Sequence, residues 1–171
     1  MSNLRINISK LPEGVHHYTL ETDAADLELD ERFSDSITVK TELTKTINQI
    51  LLQAEIVAKA TMICDRCLEP FDEQITESYT MVYLFEGRGT ANMKKEDEIE
   101  LHLISPEANL IDIGDDVRQF LLLGVPLKVL CSDGCKGLCA HCGTNLNKTG
   151  CDCVQEETDS RWDDLKKMKF S

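Results

Sequence analysis

Basic residues are scarce in this chain: 18 Lys and Arg stand against 31 Asp and Glu, for a formal charge of −13. Phosphate binding needs clustered cations, so this balance argues against an electrostatic grip on nucleic acid across the whole surface. Long apolar runs are missing too. The run Leu121-Leu122-Leu123 and its neighbours are far shorter than the roughly 20 residues that span a membrane. The opening Met1-Ser2-Asn3-Leu4-Arg5 shows no basic stretch leading into an apolar one, so no secretory signal is expected and the chain is read as cytoplasmic. Catalytic constellations are equally lacking. Gly87-Arg88-Gly89 is not followed by the Gly-Lys-Ser/Thr of a phosphate loop, and there is no His-x-Glu of a zinc deaminase. His16, His17 and His102 are not spaced as on a metalloprotease helix. No enzymatic activity and no small-molecule substrate are expected.

What the chain does have is cysteine, eight in all. In a reducing compartment, thiols clustered at short spacing serve metal binding more often than disulfides. Cys64-x2-Cys67 stands alone, and the other six follow as Cys131-x3-Cys135-x3-Cys139-x2-Cys142-x8-Cys151-x-Cys153. Zinc takes four tetrahedral ligands, usually from two short-spaced pairs. Cys139-Ala140-His141-Cys142-Gly143 is a good knuckle, with Gly143 free to adopt positive φ after the second ligand. On an extended strand Cys151 and Cys153 point to one side, and residues 145–150 are turn chemistry that can fold that strand back. His141 is expected to face solvent. Eight ligands make two Zn²⁺ sites, under either of two schemes. Cys139, Cys142, Cys151 and Cys153 close together, leaving Cys64, Cys67, Cys131 and Cys135; or Cys64 and Cys67 join Cys139 and Cys142. The first is preferred because residues 139–153 are short enough to close on themselves. All-thiolate ligation leaves no open position for water, so both sites are expected to be structural.

The remaining pattern predicts an α+β fold: an antiparallel β-sheet core, one packed amphipathic helix and a Cys-rich zinc-binding C-terminal segment. Leu4, Ile6 and Ile8 alternate as a short strand ending at Pro12-Glu13-Gly14, and residues 15–31 are ambiguous. A strand is predicted over 36–46. Ile50, Leu52, Ala54, Ile56, Ala58, Ala60, Met62 and Cys64 hold every second position, the mark of a half-buried strand. Phe71, Ile75, Tyr79, Met81, Tyr83 and Phe85 share a face of the next, so Cys64 and Cys67 lie at the tip of a long hairpin. Residues 87–98 read as a mobile loop. Leu110, Ile113, Val117, Phe120, Leu121 and Leu123 predict a helix near 110–124, with Asp112 as a candidate N-cap and Pro126 beyond its end. The core domain is placed at 1–127, the zinc segment at 128–154, and a flexible tail with a short helix at 155–171.

The motifs Cys64-Asp65-Arg66-Cys67-Leu68-Glu69-Pro70-Phe71, Val125-Pro126-Leu127, Cys135-Lys136-Gly137-Leu138-Cys139, Cys142-Gly143, Asn145-Leu146-Asn147 and Cys151-x-Cys153 resemble the YceD family of large ribosomal RNA subunit accumulation proteins. The tail from Asp159-Ser160-Arg161-Trp162 to Leu165-Lys166-Lys167 is similar as well. Ala140 departs from the proline expected in the knuckle, which loosens the turn and leaves the ligands untouched. The resemblance implies a non-enzymatic ribosome biogenesis factor supporting 23S rRNA accumulation and large-subunit assembly. Its partner would be a large-subunit precursor, met through 23S rRNA, a ribosomal protein or both. The chain's cations favour one end for that contact: Lys136 and Lys148 in the zinc segment, and Arg161, Lys166 and Lys167 in the tail, with Trp162 among them. For Trp162 the blander expectation is that it folds back onto the body. A competing function from another class is a redox-responsive zinc chaperone, whose thiolates release metal on oxidation. A nuclease would need an organised carboxylate set, and none stands out.

Overall fold

The structure, a computed structural model, describes residues 3–33, 36–87 and 100–153. The expected mobile loop (from residue 88) and the tail lie outside the described residues. Five strands form the main sheet in the order β2 (Gly14–Thr22), β3 (Ile37–Lys45), β4 (Gln49–Ile63), β5 (Pro70–Phe85) and β6 (Glu100–Ile104). β1 (Arg5–Asn7) and β7 (Leu110–Asp112) make a separate two-stranded pair, and α1 (Gly114–Leu123) packs against β5 and β4.

Alternation explains β4. Ile50, Leu52, Ala54, Ile56, Ala58, Ala60 and Met62 are all buried, while Gln53, Glu55, Lys59 and Thr61 are exposed. Leu43 and Val39 of β3, Ile75, Tyr79 and Met81 of β5, and Val117 and Leu121 of α1 share the same core. Leu4, Ile6, Ile8, Ile111 and Ile113 from the β1–β7 region close it from another side. Tyr79 and Phe120 stack with ring centroids 4.6 Å apart, which seats the helix on β5.

Register lets β4 and β5 reach beyond the rest. They pair without interruption from Gln49↔Leu84 to Ile63↔Pro70, whereas β3 stops pairing with β4 at Thr38↔Val57. β6 covers only Met81 to Phe85. Beyond Val57 the ribbon leaves its pairing with β3 but stays covered: Ala60 and Met62 are buried in the core, and the Thr61 N–H donates to the Arg32 carbonyl at 2.8 Å.

Two expectations need correction. The sheet is mixed, because β6 runs parallel to β5, with Glu100–Ile104 set against Met81–Phe85. The helix begins at Gly114: residues 110–112 pair with β1, from Arg5↔Asp112 to Asn7↔Leu110. Leu110 and Ile113 are three apart and mimic a helical face, yet the buried residues are Ile111 and Ile113, at period two, and Leu110 is exposed, as is Leu123. Asp112 still serves the helix start, since its Oδ1 accepts the Gly114 N–H at 3.0 Å. The 15–31 region, left open between strand and irregular structure, holds most of β2, which pairs with β3 from Gly14↔Lys45 to Thr22↔Ile37.

Candidate metal centres

The ribbon tip is a tight turn in which the Leu68 N–H donates to the Cys64 carbonyl at 2.9 Å, with Leu68 at φ 58. The same turn recurs at the second Cys-x2-Cys pair. There the Gly143 N–H donates to the Cys139 carbonyl at 2.9 Å, and Gly143 has φ 72. The positive φ expected at Gly143 is present, and at the tip a leucine takes the equivalent position.

The cysteine-rich segment docks on this tip through the backbone. The Asp65 N–H donates to the Val129 carbonyl at 2.8 Å, and Asp65 Oδ2 accepts the Val129 N–H at 2.7 Å. Arg66 Nη1 donates to the Cys135 carbonyl at 2.9 Å, while the Arg66 carbonyl accepts the Leu138 N–H at 3.1 Å. Gly137 permits that approach: it has φ +74, and a Cβ there would sit 3.0 Å from the Arg66 carbonyl oxygen.

Docking gathers Cys64 and Cys67 with Cys131 and Cys135, and the segment's own fold gathers Cys139, Cys142, Cys151 and Cys153. Within each quartet the sulfurs lie within 4.8 Å of one another. Sulfur–sulfur distances of 3.8 Å for Cys64–Cys135 and 3.7 Å for Cys67–Cys131 are far too long for a disulfide. They match the ~3.8 Å edge of a tetrahedron whose corners stand ~2.3 Å from a central zinc. Such a donor set fits a metal ion. In the first quartet Cys64, Cys67 and Cys135 are buried beside Phe71 and Leu130, and Cys131 is exposed. The second is nearer solvent, with Cys142 exposed.

Electrostatics also favour a cation. Donation from the Cys131 N–H, helped by those of Cys67 and Arg66, lowers Cys64 to about 6 against the opposing effect of burial. Cys131 is pushed up to about 12 by withdrawal from water and by the sulfurs of Cys135, Cys64 and Cys67. The Thr144 hydroxyl, 3.2 Å from Cys142 Sγ, and the Thr144 N–H lower Cys142 to about 6. The Cys142 sulfur, followed by desolvation, raises Cys153 to about 12. In each quartet, ionising one thiol resists ionisation of its neighbours. Four thiolates this close need a central positive charge.

Polar residues that sequence reading passed over complete the surroundings. Asp65, Arg66 and Glu69 lie inside the tip motif, and Asn145 and Asn147 lie in what read as plain turn chemistry. Lys136 N–H donates to Asn147 Oδ1 at 2.8 Å, and Asn147 Nδ2 donates to Cys135 Sγ at 3.3 Å. Glu69 Oε1 accepts from Lys148 Nζ at 2.7 Å and from Asn145 Nδ2 at 3.3 Å. Their sequence signal was their place in the motifs of the resemblance, which assigned them no role. Of the cations assigned to partner contact, Lys136 is exposed and Lys148 is held by Glu69. Arg161, Trp162, Lys166 and Lys167 lie outside the described residues. His141 is exposed, and its N–H points to Cys139 Sγ at 3.4 Å.

The family model for the large ribosomal RNA subunit accumulation protein YceD matches residues 52–169, a span that includes every cysteine. An Arabidopsis thaliana protein, large ribosomal RNA subunit accumulation protein YCED homolog 1, chloroplastic, is 27% identical over 156 residues, covering 78% of this chain and 48% of its own. Its Zea mays namesake is 27% identical, over 68% of this chain and 48% of its own. An uncharacterized Mycobacterium tuberculosis protein is 26% identical, over 70% of this chain and 55% of its own. The chain thus spans about half the length of these curated relatives. No solved structure matches. Among the described residues, no helix is long and apolar enough to cross a membrane.

Proposed function

Since the chain belongs to the YceD family of large ribosomal RNA subunit accumulation proteins, we propose that it supports accumulation of 23S rRNA as a non-enzymatic assembly factor, with structural zinc in both thiol quartets. The observation that carries this reading is the family match across residues 52–169, which takes in the ribbon, its tip and both quartets. Zinc is the metal chosen because four thiolates at tetrahedral spacing suit it, and because such a site needs no redox partner. In this role Cys64, Cys67, Cys131 and Cys135 fasten the C-terminal segment to the β4–β5 ribbon. Cys139, Cys142, Cys151 and Cys153 shape its outer end.

The partner is a large-subunit precursor in the compartment where ribosomes are built. Two Zn²⁺ held by eight thiolates add four negative charges to a chain already at −13. Contact with rRNA is therefore confined to the cationic side chains of the cysteine-rich end and tail, or is made through a ribosomal protein. The test combines metal analysis of the purified protein with gradient sedimentation of lysate and 23S rRNA measurement in a depleted strain. Near two zinc per chain, comigration with large-subunit precursors and reduced 23S rRNA are expected. Protein confined to the free fraction, with normal 23S rRNA after depletion, would overturn the assembly role.

A second reading, a redox-responsive zinc chaperone, draws on the exposure of Cys142 and Cys153, which an oxidant can reach. It predicts zinc release by peroxide with gain of apolar surface, and no dependence of 23S rRNA on the protein.

A further inference from the structure

We propose that Asn147, seated by Asn145, couples the two quartets into one metal-binding unit. This deepens the reading of both quartets as metal centres and rests on it. The loop that spaces the two ligand pairs of the second quartet is also a wall of the first, and Asn147 stands at the join. Its amide orientation is fixed by its neighbours. The Lys136 N–H needs an acceptor, so Oδ1 faces it at 2.8 Å and Nδ2 must turn the other way. Nδ2 then spends both hydrogens, one on Cys135 Sγ at 3.3 Å and one on Asn145 Oδ1 at 2.9 Å. Asn145 is held in turn: its Oδ1 also accepts the Asn147 N–H at 3.0 Å, and its Nδ2 reaches Glu69, two residues beyond Cys67.

A donor aimed at a metal-bound thiolate stabilises its charge and sets its orientation, as outer-shell partners do in metal sites generally. Here that donor comes from residues whose conformation the other quartet fixes. When Cys139 and Cys142 close with Cys151 and Cys153, the loop between them is ordered, and Asn147 is pre-placed for Cys135. When the second centre is empty, the first must order the loop itself. Filling either centre therefore tightens the other, and the coupling is reciprocal.

The test uses the full chain. The double substitution Cys151→Ser/Cys153→Ser removes the second centre and leaves all four ligands of the first. Asn147→Leu keeps the branched outline of residue 147 and removes both its donor and its acceptor. Asn147→Asp keeps the acceptor for Lys136, removes the donor and sets a negative charge beside the Cys135 sulfur, giving a second route should the leucine variant fold poorly. Zinc retention against a chelator, and the sulfur-to-metal absorption of the cobalt-loaded chain, report on the first centre. We expect each alteration to weaken the first centre by about 10- to 100-fold. We also expect Asn147→Leu and Asn147→Asp to shift the cobalt absorption, and the combined alteration to lose little more than either alone. Unchanged affinity and absorption in both Asn147 variants, or losses that multiply independently, would overturn the coupling while the two centres stand. An unaltered chain that takes up no metal would bring down the metal reading itself.

Discussion

Leu68 and Gly143 occupy the same place in two copies of one turn, each donating its N–H to the carbonyl of the first cysteine of its pair. The backbone demands positive φ at both, 58 at Leu68 and 72 at Gly143. A left-handed conformation costs an L-residue about 1–2 kcal/mol, and glycine escapes that cost. Leu68 bears it although its side chain is largely exposed. Replacing it with glycine relieves the strain but loosens the unfolded chain by about 0.4–1 kcal/mol, so Leu68→Gly should leave stability within about 1 kcal/mol of the parent. Gly143→Ala, by contrast, should lose about 1–2 kcal/mol. Urea unfolding at saturating zinc distinguishes the two. A loss above about 2 kcal/mol in Leu68→Gly would show that the leucine side chain has a packing role. Gly137 carries a double restriction, positive φ and the Arg66 carbonyl 3.0 Å from where a Cβ would be. Gly137→Ala should therefore weaken docking of the cysteine segment by at least the same ~1–2 kcal/mol. Faster exchange of the Leu138 amide, which bonds to that carbonyl, would register it.

At the scale of elements, β4 carries the core, and its contribution can be measured directly. Ile56 is fully buried and pairs with Val39 of β3. Ile56→Ala should cost about 2–5 kcal/mol in urea unfolding, through lost burial and the cavity left behind. Glu55 beside it faces outward, so Glu55→Ala should change little. The same contrast explains why β4 was plain in the sequence: one face is dry, one is wet, and the residues alternate without a break. The ribbon tip followed from it, because Cys64 continues the buried face and is itself buried. Where two elements compete for the same residues, local pattern fails. Leu110 and Ile113 suit a helix face, and only pairing with β1, more than a hundred positions away, makes 110–112 a strand. β6 could not be read because its five residues become a strand only by pairing with Met81–Phe85. Spacing favoured the observed grouping of cysteines but left a second scheme open, and docking of the segment on the ribbon tip decides between them. The hydrogen bonds that support the cysteines were not legible, since Asn147 reaches Cys135 only after the segment has folded.

At the scale of the molecule, the described residues form two packing units of unequal kind. The main core runs through the sheet, the β1–β7 pair and α1 without any cysteine, while Cys64, Cys67 and Cys135 form a separate small cluster with Phe71 and Leu130. Residues 128–153 are too few to bury a core of their own, and small segments of this kind fold at the expense of metal binding. Stripping metal should therefore release this segment and spare the sheet. Hydrogen exchange of the chelated protein reads the difference residue by residue. The Val129, Leu138 and Leu146 amides, bonded respectively to Asp65, Arg66 and Gly137, should lose most of their protection. Amides along the β3–β4 pairing, from Thr38↔Val57 to Lys45↔Ile50, should keep theirs. Exposure adds an order to the release. The second quartet has Cys142 and Cys153 exposed and no buried member, whereas the first has three buried members and only Cys131 exposed. The second should therefore yield its metal first, and the amides of Cys139 and Gly143 open first under mild chelation. Sheet amides that lost protection together with the segment would show that the thiol staple and the hydrophobic core form one cooperative unit, with the ribbon transmitting the loss of metal into the body.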